Sequence, residues 1–117
     1  MNAAETIRQI HIDRDKELFD HIVAEIMPKL ADRDWLLDHR NYNRFDDGEI
    51  NYSFRVSDII AQVIGPNERT YASTQLNNLI YKYFNELGFV ARITSINELT
   101  LKTPSMPSID EDLDDAA

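Results

Sequence analysis

Cysteine is absent from the 117 residues, which excludes disulfides, thiolate metal sites and cysteine nucleophiles, and suits a reducing compartment. Glycine is almost absent: only Gly48, Gly65 and Gly88 occur, each where a turn or a helix end explains it, so no Gly-rich phosphate loop exists. No apolar run approaches the roughly 18 residues of a membrane span. The opening MNAAETIRQIHIDRD lacks the apolar h-region of a signal peptide. The expectation is a soluble, cytoplasmic protein with no membrane partner. Histidine is sparse as well. His11, His21 and His39 lie far apart, and His21 and Glu25 share a helix face without an HExxH pattern or a third ligand. Asp32, Asp34, Asp38 and His39 lack the glycine and closing glutamate of a calcium loop. No serine constellation can be picked out. A non-enzyme without metal or cofactor is expected.

What is present is apolar enough to fold, at 43% hydrophobic and 28% charged residues. A chain of this length suggests one modest core. The net charge of −9 is unevenly spread. Residues 1–60 hold 13 acids against 8 bases, and 61–104 hold 3 against 4. Residues 105–117 hold 5 acids and no base. An acidic whole opposes bulk attraction to phosphate, whereas the segment 61–104 is neutral to weakly basic.

Periodicity then orders the chain. Residues 1–12 form an N-terminal extension in which Ile7, Ile10 and Ile12 suit a short helix or a docking strand. Asp13 is a plausible N-cap for a helix whose stripe is Leu18, Phe19, Ile22, Val23, Ile26 and Leu30. Pro28 predicts a kink or break, with a second helical piece over 28–39 burying Leu30, Trp35, Leu36 and Leu37. NYNRFDDGE reads as turn, and INYSFRV alternates as a half-buried strand over 50–56. Ser57 is a natural N-cap for a short helix ended by Gly65 in the left-handed conformation and Pro66. STQLNNLIYKYFNELGF, residues 73–89, predicts a helix capped by Ser73, with Leu76, Leu79, Ile80, Tyr83, Phe84 and Leu87 inward and a Schellman end at Gly88. FVARIT, SIN and ELTLKT form a hairpin with Ile93, Leu99 and Leu101 inward. PSMPSIDEDLDDAA cannot bury enough apolar surface to order itself, so residues 105–117 are expected to be a disordered acidic tail.

This order is α+β, and over residues 13–104 it resembles the winged helix-turn-helix domain, in which a first strand pairs with a C-terminal hairpin. The run VSDIIAQVI…STQLNNLIYKYFNELGFVARIT…ELTLKT carries the resemblance. It implies a DNA-binding protein of transcription regulation whose recognition helix is 73–87. Thr74, Gln75, Asn78 and Lys82 would then face base edges, with Tyr81 and Asn85 at the margin. Arg69 in the loop, and Arg92 and Lys102 on the wing strands, would hold phosphates. Two departures stand out: the link GPNERTYA is long, and the wing tip Ser95-Ile96-Asn97 is short and carries no base. A homodimer through the N-terminal helices would double the few cations. The alternative is an acidic protein-interaction module of the phage-inhibitor or DNA-mimic kind, in which Ile109, Asp110, Glu111, Asp112 and Leu113 dock on a basic protein partner.

Overall fold

In the computed structural model, residues 2–45 and 48–104 are described. The expected acidic tail, 105–117, lies outside them. The first element, α1 (Ala3–Leu30), takes in most of the region read as helix or strand, and Asn2, not Asp13, caps it by accepting from the Glu5 N–H at 2.9 Å. It runs through Pro28 without the expected break. At 28 residues it is about 42 Å long. Only its second half is anchored. Asp15, Leu18, Ile22 and Ile26 are buried, while residues 2–11 are all exposed.

The second helical piece shrinks to α2 (Arg33–Leu37), capped by Asp32, and Leu37 is exposed rather than buried. Its purpose in the packing is Trp35, whose indole stacks on Tyr52 and Phe54, each at 5.5 Å between ring centroids. The Tyr52 hydroxyl donates to the Leu36 carbonyl at 2.9 Å, and burial pushes this hydroxyl above the ordinary tyrosine pKa.

The stretch read as turn holds a short strand, β1 (Tyr42–Arg44), which pairs with β2 (Ile50–Arg55). The chain then enters α3 (Val56–Ile64), passes one 3-10 turn at Pro66–Glu68 and forms α4 (Thr74–Glu86). A hairpin of β3 (Val90–Ile93) and β4 (Glu98–Lys102) closes the fold. The four strands make one antiparallel sheet in the order β1-β2-β4-β3. Register separates its faces: Tyr52, Phe54, Leu99 and Leu101 turn into the core, while Asn51, Ser53, Thr100 and Lys102 turn away. Core residues of α1, α3 and α4 meet the inner face, with Leu18, Ile22, Ile60, Leu76, Ile80 and Phe84 at most 1% exposed. The molecule is therefore α+β, with helices gathered on one side of an antiparallel sheet.

Two helix ends differ from expectation. Helix α3 begins at Val56 with no side-chain cap, and the Ser57 N–H is satisfied instead by the Asn97 carbonyl at 3.0 Å. Gly65 lies at φ 122°, ψ 151°, a region open only to glycine but not the left-handed helical one. The end of α4 does follow the Schellman pattern: Phe89 N–H donates to Phe84 C=O at 3.1 Å and Gly88 N–H to Asn85 C=O at 3.0 Å, with Gly88 at φ 99°. Leu87, expected in the core, is 48% exposed.

Candidate nucleic-acid interface

Helix α4 is built from both ends. Ser73 adopts an extended backbone and its Oγ accepts from the Leu76 N–H at 3.0 Å, a cap worth about 1 kcal/mol. The same hydroxyl donates to Asp15 Oδ2 at 2.8 Å, and the Tyr71 hydroxyl donates to Asp15 Oδ1 at 2.6 Å. Asp15 is 3% exposed, so this carboxylate on α1 ties down both the approach to α4 and its first turn. The Arg14 guanidinium lies over the same Tyr71 ring, 4.6 Å from its centroid, in a cation–π contact.

A second clasp comes from the hairpin. Asn97, at φ 55° and 5% exposed, donates through Nδ2 to the carbonyls of Arg69 at 2.9 Å and Tyr71 at 2.7 Å. The turn that would be a wing tip is thus folded back onto the link between α3 and α4. Asp15 and Asn97 are the two residues that sequence reasoning misses. By sequence Asp15 is an acid near the start of a helix, where it is favourable for another reason. Asn97 carries only the general tolerance of asparagine for positive φ.

The predicted readers separate into two groups. Thr74, Gln75, Asn78 and Lys82 lie together on one side of α4, where with Leu79 they line a shallow depression of about 500 Å³. Among the described residues none of these four side chains has a hydrogen-bond or ion-pair partner. Tyr81 and Asn85 are occupied elsewhere. The Tyr81 hydroxyl accepts from the Ile93 N–H at 3.1 Å, and Asn85 Oδ1 accepts from the Ala91 N–H at 3.2 Å. These are edge-strand donors of β3, so the two side chains seal a sheet edge that would otherwise invite pairing.

The predicted phosphate holders are spread out. Arg69 forms an ion pair with Asp58 in the first turn of α3. Lys102 pairs with Glu49 at 2.9 Å. Arg92 is exposed, has no ion-pair partner among the described residues, and shares the outer sheet face with Lys102. Of the acids considered for a metal, Asp38 is held by Arg40, whose guanidinium donates to both carboxylate oxygens and keeps the carboxyl well below the usual range. His21 and Glu25 face a groove against Ile59, Gln62 and Val63. No group of three His, Asp or Glu side chains among the described residues could hold a metal ion. No helix among them is long and apolar enough to cross a membrane. The alternative interaction residues, Ile109 to Leu113, fall outside the described residues.

Comparison with protein-family models, with curated proteins and with solved structures found no match to this chain.

Proposed function

We propose that this is a non-catalytic nucleic-acid-binding protein of the transcription-regulating kind, and that the outward side of α4 reads duplex DNA. One observation carries the reading: Thr74, Gln75, Asn78 and Lys82 stand together with polar groups that have no partner among the described residues, while their neighbours Tyr81 and Asn85 are consumed by the fold. Support also comes from topology. Strands β2, β4 and β3 with helices α3 and α4 between them follow the winged-helix order, and β1 is an added edge strand.

A helix fits the major groove, and an Asn or Gln amide there can donate to N7 and accept from the N6 amine of adenine. Asn78 and Gln75 supply such amides, Thr74 a hydroxyl at the first turn, and Lys82 a cation for phosphate. Electrostatics bounds the strength. Lys82 and Arg92 are the predicted cations without an ion-pair partner among the described residues, so one protomer releases about two counterions, and log K falls with log salt at a slope near −2.

A mobility-shift assay on a random duplex pool at low salt tests this. Binding is expected to weaken with that shallow slope and to be lost in the Asn78→Ala/Lys82→Ala double variant. Both side chains are exposed, so the variant keeps its core and its thermal transition. No retention of any duplex at low salt would overturn the proposal.

A further inference from the structure

The outer face of the sheet carries a second depression, of about 570 Å³, walled by Phe45, Glu49, Asn51, Val90, Arg92, Thr100 and Lys102. Phe45 is 47% and Val90 52% exposed, so two apolar side chains stand in water beside a guanidinium that has no ion-pair partner among the described residues. Strand β4 ends at Lys102 in the wall of this depression. Thr103 is then pinned to β2, its N–H donating to the Ile50 carbonyl and its Oγ1 accepting from the Ile50 N–H, both at 2.9 Å. The last described residues therefore lie at the rim of the site. Beyond Pro104 the sequence continues SMPSIDEDLDDAA, in which Ile109 and Leu113 are set among five acids with no base.

We propose that the segment 109–113 of this same chain docks in the depression, with Ile109 and Leu113 against Phe45 and Val90 and the intervening carboxylates towards Arg92 and Lys102. Reach is sufficient, since the six steps from Thr103 to Ile109 span up to about 20 Å. Strength decides between this occupant and a separate one. Lys102 is already paired with Glu49, so one full cation and two small apolar patches make a weak site. A free peptide or a second copy at micromolar concentration would leave it empty. A tether of this length holds its own segment at roughly millimolar effective concentration, where a weak site fills.

The test uses the full chain, labelled with ¹⁵N, and the variant Ile109→Ser/Leu113→Ser, whose changes lie outside the core. Amide shifts at Val90, Arg92, Thr100 and Lys102 are expected to differ between the two, with α3 unchanged and no dependence on tenfold dilution. Arg92→Glu, at an exposed site, is expected to abolish the response to the tail substitutions. Three results would each overturn the proposal: no change on β3 and β4, changes confined to Thr74, Asn78 and Lys82, or changes that vanish on dilution. The last would assign the contact to a second copy.

Discussion

At Asn97 the backbone enters the left-handed region, which for a residue with a Cβ costs about 1–2 kcal/mol, and the side chain offsets this by donating to two carbonyls of the α3–α4 link. Asparagine alone among the common residues tolerates the conformation and carries a two-proton donor of the right length. Replacement by glycine keeps the backbone and loses both bonds, for a loss of about 2 kcal/mol. Replacement by alanine loses the same bonds and adds the strain, for about 1 kcal/mol more. Urea denaturation should rank the variants parent, then Asn97→Gly, then Asn97→Ala; alanine at or above glycine would contradict the strain argument. Asp15 invites a parallel comparison. Asp15→Ala leaves the hydroxyls of Tyr71 and Ser73 without their acceptor, costing about 1–3 kcal/mol. Asp15→Asn keeps one acceptor oxygen, and hydroxyls can rotate to accept from its amine, so it should lose less than half as much. Equal losses would mean that charge, rather than hydrogen-bond acceptance, holds the junction.

Among the elements, those with a strong internal period were legible in the sequence. Both ends of α4, the alternation of β2 and the closing hairpin are present within a residue or two of their expected bounds, and of the expected α4 stripe Leu76, Ile80, Tyr83 and Phe84 pack into the core whereas Leu79 lines the outer depression and Leu87 is exposed. Elements decided by their surroundings were not. Strand β1 is three residues of Tyr, Asn and Arg beside turn formers, and it exists because β2 offers an edge. Proline at position 28 removes one donor near the end of α1, but Ile22 and Ile26 are fully buried and hold the helix through it. Of the candidate site, Thr74, Gln75, Asn78 and Lys82 were recoverable from the helical spacing, whereas the commitments of Tyr81, Asn85, Arg69 and Lys102 depend on how other elements fold back against them. The first turns of α1 show the opposite imbalance: Ile7 and Ile10 are 57% and 62% exposed, and a helical stretch of this length without packing is marginal in water. Hydrogen exchange should find amides from Thr6 to Ile12 far less protected than those from Leu18 to Ile26. Equal protection at high protein concentration, lost on dilution, would instead reveal a second copy covering Ile7 and Ile10, the dimer contact expected of the N-terminal helices.

For the molecule as a whole, the distribution of charge sets two uses of Arg92 against each other. On the proposed DNA-binding reading, a chain with a net charge of −9 would approach the duplex through its locally neutral segment 61–104, where Lys82 and Arg92 are the predicted site cations without an ion-pair partner among the described residues. The same guanidinium stands over the depression assigned to the segment 109–113. A phosphate and a tail carboxylate cannot both occupy it, so tail docking should compete with DNA. Competition by a site between half and nine-tenths occupied weakens apparent affinity by only about 2- to 10-fold. Plain repulsion by the five tail acids would act in the same direction, and the two causes separate by substitution. Ile109→Ser/Leu113→Ser retains every tail charge and removes the apolar anchors, so a rise in DNA affinity of this size in that variant reports release of a docked tail. Replacing the five acids by their amides raises affinity under either cause, but the repulsive share disappears in moderate salt, because exposed charges are screened beyond roughly 8–10 Å. An unchanged affinity in the serine variant, together with a rise in the amide variant that vanishes with salt, would reduce the tail to a source of repulsion and leave Arg92 free for phosphate.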